Sequence, residues 1–269
     1  MQINKETMTL ELDKLVGTIF ALPEIVYVKV RDVIIENNSD RCEKIQEAIA
    51  QSYHDCYSDI DLSVLVRLNP KDAITPAAYM ERIDRFGIST GNCLGLMFVN
   101  ENNMYRIILK NGMRYDFGFD FEFDNSADFI YMLPKEEEYN NPNWPIDNVN
   151  RFWFVQIQAL GKLYRNDFLI GDHLANLNIN ETLVQQMVLR DMKYGTNHHR
   201  YGYEEELAYW ENRHKCPIKT ENEGFRMIAD KLYCAALTYD SLTKAFYPEY
   251  EARSSVFFDI WKAYEECRG

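Results

Sequence analysis

The sequence has no long apolar run, no closely spaced pair of cysteines and no stretch rich in lysine and arginine. Its longer apolar segments, such as "CLGLMFV", are far shorter than the roughly 20 residues that a membrane-spanning helix needs. None of its six cysteines forms a CxxC pair, which favours reduced thiols over a disulfide framework. The N-terminal "MQINKETMTLELDKL" also lacks the apolar core of a signal peptide. We therefore expect a cytoplasmic protein that does not enter a membrane.

Positive charge is also scarce. The chain has 29 Lys and Arg against 42 Asp and Glu, so its net charge is −13. Nucleic-acid binding depends on lysine and arginine neutralising phosphates, so this composition argues against DNA or RNA as a partner. An acidic surface instead attracts small cations and steers them into an acidic cleft. The charge favours a small polycationic partner.

The hydrophobic patterns differ between the two halves of the 269 residues, a length that suits two domains. Residues 1–135 mix helical and strand-like patterns, whereas residues 149–269 show helical patterns. The segment between them, 136–148, is rich in Pro, Asn and Glu and predicts a linker. We predict an α+β fold, in which a mixed sheet with flanking helices precedes a C-terminal helical bundle that binds a substrate. The active site would lie in the cleft between them.

Local signals place several elements of the first half. The run "EIVYVKVRDVII" alternates like a strand, and Ser39 is suited to cap a helix over residues 40–54. The pair Asn111 and Gly112 separates two alternating runs and predicts a hairpin, because both residues tolerate positive φ. The second of these runs puts aromatic residues on one face and Asp116, Gly118, Asp120, Glu122 and Asp124 on the other.

Two carboxylates precede an apolar strand in "YSDIDLSVLV". Asp59 and Asp61 are two residues apart, so on a strand their side chains share a face and repel each other unless a positive charge lies between them. Divalent cations such as Mg²⁺ take oxygen ligands of this kind. Asp116 is the preferred third ligand and Asp120 the alternative, if their strand lies beside this one. Three such carboxylates could hold one or two Mg²⁺ for phosphoryl transfer. The other interpretation is a solvated acidic face.

These motifs resemble those of a known superfamily. "SDIDLSVLV" is similar to the S-D-x-D strand of DNA polymerase β-like nucleotidyltransferases, and "NGMRYDFGF" resembles the G-x-R-x-D strand that carries their third aspartate. Helical segments of the second half, among them "FWFVQIQALGKLYRNDFLIGDHL", resemble aminoglycoside 6-adenylyltransferases, the streptomycin-modifying type. The resemblance spans roughly residues 10–215. It implies that Asp59, Asp61 and Asp116 hold two Mg²⁺, and that AMP passes from ATP to a hydroxyl of a cationic acceptor, an aminoglycoside antibiotic.

One part of the family pattern is missing. The superfamily has a Gly-Ser pair after its first strand, at the head of a helix whose free N–H groups suit nucleotide phosphates. No Gly-Ser occurs upstream of Asp59 in this sequence. Ser52 and Ser58 are the nearby candidates for nucleotide binding, and Lys29 or Arg31 are alternative donors.

The second half holds the remaining candidates. Asp172 and His173, in "GDHLANL", would line the acceptor pocket, although a structural role for the histidine is the alternative. Arg200, in the polar stretch "GTNHHRYGYEEE", is a candidate for phosphate binding. Glu204 and Glu205 follow it, where carboxylates suit the start of a helix or an acceptor amine.

Other functions fit the same residues. Without the Gly-Ser pair, the chain could keep the fold and bind its ligand without catalysis. A lincosamide, a protein or an RNA is the alternative acceptor within the transferase hypothesis. The general base stays open between Asp116 and a glutamate of the second half.

Overall fold

A computed structural model describes residues 4–38, 40–69, 76–99, 103–123, 146–195 and 206–268. The chain divides into two compact units, Met1–Trp144 and Pro145–Gly269. The division falls in the segment predicted as a linker. Residues 136–145 of that segment lie outside the described part, and residues 146–148 already belong to a helix.

The first unit contains the sheet, and the second unit contains long helices, in agreement with the predicted α+β class. The elements of the first unit are, in chain order, α1 (Lys5–Ile19), β1 (Ile25–Val30), β2 (Val33–Ile35), α2 (Arg41–Ser52), β3 (Ile60–Leu68), α3 (Pro76–Met80), β4 (Cys93–Val99), β5 (Met104–Leu109) and β6 (Arg114–Phe123). The elements of the second unit are α4 (Ile146–Tyr164), α5 (Phe168–Tyr194), α6 (Glu223–Phe246) and α7 (Ser254–Arg268).

The six strands form one mixed sheet in the order β2-β1-β3-β6-β5-β4. The two central strands, β3 and β6, run parallel, and the other neighbours are antiparallel. Because parallel strands begin at the same edge of a sheet, residues near the starts of β3 and β6 lie side by side. Asp61 is the register partner of Asp116.

Alternation along β3 and β6 decides which face enters the core. On β3, Ile60, Leu62 and Val64 are buried, whereas Asp61 between them is exposed. On β6, Tyr115, Phe117 and Phe119 are buried, as the aromatic face predicts. Phe86 packs against this face, with its ring 5.2 Å from that of Phe117 and 5.5 Å from that of Phe119. The acidic face is therefore the one that points away from this core.

The predicted hairpin at Asn111 and Gly112 is confirmed. Gly112 has a φ of +87°, and its N–H donates to the carbonyl of Leu109. The side-chain oxygen of Asn111 accepts from the N–H of Met113, which closes the turn. The turn sets β5 against β6 so that Arg106 lies opposite Asp116.

The first predicted strand is wrong in one respect. It is broken at Arg31 and Asp32 into the hairpin of β1 and β2, because Arg31 adopts a φ of +51°. This left-handed conformation is disfavoured for a residue with a Cβ atom, so alternation alone gives no sign of the turn. The N–H of Arg31 donates to the carbonyl of Asp61, which ties the turn to β3. The predicted cap Ser39 lies outside the described residues.

The helices of the second unit pack around a large aromatic core. The rings of Phe152 and Tyr239 stack at 3.6 Å, and the buried Trp153 meets both of them edge-on. Asp240 accepts the N–H groups of Arg253 and Ser254 and thereby satisfies the first turn of α7. Among the described helices, none combines the length and the apolarity that crossing a bilayer requires.

Candidate functional site

Three aspartates meet at one edge of the sheet in the first unit. Asp61 and Asp116 are register partners near the starts of β3 and β6, and Asp59 immediately precedes β3. The structure therefore brings the three predicted ligands together. Asp120, the alternative third ligand, is the partner of Leu65 instead. It lies four residues further along β6, a distance of about 13 Å at the usual rise of a strand.

The carboxylates differ in exposure and therefore in acidity. The side chain of Asp61 is 51% exposed, whereas that of Asp116 is 16% exposed. Burial raises the pKa of Asp116 to about 6, Arg106 opposes this shift, and the charges of Asp59 and Asp61 add to it. Burial, and then the charge of Asp59, also raise the pKa of Asp61. The charges of Asp59 and Asp61 thus act on Asp116, and the charge of Asp59 acts on Asp61.

Each of these carboxylates faces its own arginine. An arginine nitrogen lies 3.5 Å from the carboxylate in the pair of Arg31 and Asp61, 3.4 Å in the pair of Arg106 and Asp116, and 3.6 Å in the pair of Arg114 and Asp59. The sequence predicts that a metal ion supplies the positive charge between the aspartates. In the structure the protein supplies that charge itself.

Arg106 was missed by the sequence argument, although a signal was present. Once the hairpin centre is placed at Asn111 and Gly112, counting outward along both strands puts Arg106 opposite Asp116. Arg114 stands inside the motif "NGMRYDFGF" but was assigned no role. Arg114 is buried, with only 8% of the residue exposed, and its Nη1 donates to the carbonyl of Tyr57.

The donor set fits Mg²⁺ in kind, since three carboxylates at one sheet edge supply hard oxygen ligands. Their present arrangement is held by the arginines. Within the described residues, no group of three or more His, Cys, Asp or Glu side chains has the spacing to hold a metal ion as it stands. Metal binding would require the aspartates to turn from their arginines.

The two serines considered for phosphate binding lie close to β3. Ser52 is the last residue of α2 and is fully buried, and its Oγ meets no hydrogen-bond partner among the described residues. The Oγ of Ser58 accepts the N–H groups of His54 and Asp55 and donates to the carboxylate of Asp55. Neither serine lies at the N-terminus of a helix, which is where the family's Gly-Ser pair would place its hydroxyl.

The acceptor candidates of the second unit lie on α5. The carboxylate of Asp172 accepts from Lys231 at 2.6 Å and from Asn176 at 3.0 Å, so its charge is already balanced. His173 is exposed. Lys231 also lines a cavity of about 440 Å³ together with Asp230 and Arg213. The candidates Arg200, Glu204 and Glu205 lie outside the described residues.

A half-buried glutamate on the same helix, Glu181, has no counterpart among the sequence predictions. Glu181 lines a cavity of about 230 Å³ together with Asn178 and Arg151. Burial raises the pKa of Glu181, and Arg151 opposes the shift. Its Oε1 is buried with no hydrogen-bond partner among the described residues. Such a carboxylate suits a cationic group of a ligand, because the ligand could donate the hydrogen bond that Oε1 lacks and add to the charge of Arg151.

The chain matches no protein-family model and no curated protein. The nucleotidyltransferase resemblance therefore stays a prediction from the motifs.

Proposed function

We propose that this protein is a metal-dependent nucleotidyltransferase that transfers AMP from ATP to a hydroxyl of a small cationic acceptor, such as an aminoglycoside. The observation that supports the proposal best is the meeting of Asp59, Asp61 and Asp116 at the starts of two parallel central strands. Bringing three carboxylates together costs folding stability, because like charges repel and burial disfavours ionisation. Such a cluster is therefore better explained by a binding function than by a structural role.

In the proposed reaction, the acceptor oxygen forms a bond to the α-phosphorus while the bond between this phosphorus and the bridging oxygen breaks. Pyrophosphate leaves, and the hydroxyl proton passes to a base. Asp59, Asp61 and Asp116 would hold Mg²⁺, which supplies charge stabilisation for the attacking and leaving oxygens. The chain's own contribution is to position these carboxylates through strand register and to place an arginine beside each of them before ligands bind.

The charge of the chain supports a cationic acceptor. A net charge of −13 favours the approach of a polyamine-like molecule. Two carboxylates of the second unit are candidates for binding an acceptor, Asp172 and Glu181. Asp172 accepts two hydrogen bonds, whereas Oε1 of Glu181 accepts none among the described residues. We assign Glu181 to the recognition of an acceptor amine, whereas Asp172 would take part only by leaving Lys231.

A second candidate is a protein that binds a nucleotide or an acceptor without catalysis. The observation that favours it is the arginine beside each aspartate, because a permanent arginine would neutralise the carboxylates without a metal. This candidate predicts ligand binding but no release of pyrophosphate.

The test is release of pyrophosphate from ATP and Mg²⁺ in the presence of a panel of aminoglycosides led by streptomycin. We expect acceptor-dependent release from the unchanged chain and a loss of at least about a hundredfold in Asp59→Asn, as befits a group that binds the reacting centre. Asp120→Asn is the matched control, since it removes an exposed carboxylate from the same face of β6 and should retain the activity. Folded protein that releases no pyrophosphate with any acceptor of the panel would contradict transfer to an aminoglycoside and favour binding without catalysis, or an acceptor outside the panel.

A further inference from the structure

The three ion pairs of the aspartate cluster are longer than other ion pairs of the same unit. They span 3.4–3.6 Å, whereas Arg67 lies 2.6 Å from Glu122, and Arg85 lies 2.6 Å from Glu24. Hydrogen bonds between charged groups usually measure about 2.7–2.9 Å. The arginines of the cluster therefore compensate the carboxylates without closing short hydrogen bonds to them.

The same three arginines have unused donors. The Nε atoms of Arg31, Arg106 and Arg114 are buried, and none has a hydrogen-bond acceptor among the described residues. The Nε of Arg106 comes within 3.4 Å of Asp116 but outside hydrogen-bond geometry. Buried guanidinium donors are normally satisfied, so three exceptions in one cluster indicate an acceptor that is not part of these residues.

The arginines differ in their freedom to meet such an acceptor. Arg114 is fixed by its hydrogen bond to the Tyr57 carbonyl, and its side chain is 9% exposed. The side chains of Arg31 and Arg106 are each 33% exposed. These two can therefore reach a ligand, while the third is suited to hold Asp59 in place.

Strand order puts the two accessible arginines on opposite flanks of the aspartates. Arg31 comes from the turn beside β3, and Arg106 comes from β5 beside β6. Arg31 keeps a left-handed φ of +51°, a strained conformation for a residue with a side chain, which persists where the surroundings require it. Its backbone position is further set by the hydrogen bond to the Asp61 carbonyl.

We propose that Arg31 and Arg106 bind the phosphate groups of the nucleotide and thereby replace the missing Gly-Ser pair. The guanidinium fork matches phosphate oxygens in two-point contacts. When a nucleotide and Mg²⁺ bind, the aspartates would hold the metal ion, and Arg31 and Arg106 would turn from the aspartates to donate to phosphate oxygens. This inference rests on the proposed function for the identity of the ligand, a metal-bound nucleoside triphosphate, but not for the transfer step.

Calorimetric titration of the full chain with ATP and Mg²⁺ tests the exchange. Arg31→Gln and Arg106→Gln should each weaken binding by about tenfold or more, as expected for the loss of a hydrogen bond to a charged group. Arg67→Gln is the matched control. Arg67 lies on the same face of β3 as Asp61 but near the other end of the strand, so this variant should bind ATP as the unchanged chain does. Circular dichroism melting of each variant reports its folding.

A second titration uses inorganic tripolyphosphate without metal. Asp61→Asn and Asp116→Asn together release both arginines, so this double variant should bind tripolyphosphate more tightly than the unchanged chain. If Arg31→Gln and Arg106→Gln fold and bind ATP as the unchanged chain does, the inference is overturned. It is also overturned if the unchanged chain binds neither ligand. Arginine-dependent binding without pyrophosphate release would support the inference and contradict the proposed function.

Discussion

The two units of this protein bury different kinds of polar group. In the sheet unit, each aspartate of the cluster faces an arginine, and both charges come from the strands and turns around the cluster. In the helical unit, the buried polar side chains of α5 and α6 are mostly uncharged and include Asn178, Thr182, Gln185, Thr238 and Thr243. The sheet unit pairs charges of opposite sign, whereas the helical unit relies mainly on hydrogen bonds between uncharged groups. Removing one partner should therefore cost more in the sheet unit than in the helical unit.

The largest expected effect comes from breaking the balance in the sheet. Arg114→Ala would leave Asp59 without its counter-charge and the Tyr57 carbonyl without its donor. We expect the free energy of unfolding to fall by about 2–3 kcal/mol, because a half-buried charge pair loses one partner. Urea denaturation measures the change. Arg67→Ala, which breaks the exposed pair with Glu122, should cost less than about 1 kcal/mol. Equal losses for the two variants would contradict the distinction.

An intermediate effect is expected from two buried glutamines of the helical unit. Gln185 is fully buried, and its amide interacts with the Tyr239 hydroxyl without reaching close hydrogen-bond geometry. Gln156 is equally buried, but it donates to the Leu232 carbonyl and accepts from Asn178. Gln156→Leu should therefore destabilise the protein by about 1–2 kcal/mol, whereas Gln185→Leu should change its stability by less than about 1 kcal/mol. Thermal or urea unfolding of both variants gives the comparison. A loss in Gln185→Leu as large as that in Gln156→Leu would show that the two amides are bound equally well.

The smallest expected effect is a dependence of stability on pH. The pKa of Asp116 is raised from 3.8 to about 6 in the folded chain, so the folded state holds the proton more tightly than the unfolded state does. Stability from this group is full below about pH 4 and is lost as the pH rises through 6. Asp116→Asn should remove this loss and raise the free energy of unfolding at pH 7.5 by about 1 kcal/mol, after allowance for solvent screening, with no gain at pH 4.

The control for this pH effect is Asp120→Asn on the same strand, which should change stability little at either pH because the side chain is exposed. A gain for Asp116→Asn at pH 4 as large as that at pH 7.5 would mean that the effect does not come from ionisation.

Much of the sheet and of the aspartate cluster follows from the sequence. Strand alternation and the turn at Asn111 and Gly112 fix which residues face the core and which residues are register partners. The adjacency of Asp61 and Asp116 requires in addition that β3 and β6 be parallel neighbours in matching register, and the structure shows that they are. Side chains alternate between two faces along a strand, so the sequence leaves few alternatives for which residues share a face.

Other features could not be derived from the sequence for physical reasons. The break at Arg31 needs a left-handed residue that carries a side chain, and no glycine marks it. The buried polar face of α5 repeats at helical spacing through Asn178, Thr182 and Gln185, a pattern that usually lies in solvent. Which face of a helix is buried depends on the neighbouring helices, and the spacing within one helix does not reveal them.

The hairpin at Asn111 and Gly112 has a consequence for how the chain can vary in evolution. A slip of β5 by one residue against β6 would set Tyr105 or Ile107 opposite Asp116 in place of Arg106, and it would turn every side chain of β5 to the other face. Many substitutions in these strands preserve the fold, but a deletion or insertion that shifts the pairing exchanges a cation for an uncharged side chain beside the aspartates. The length of this turn therefore decides, through the pairing of the two strands, whether a cation lies opposite Asp116.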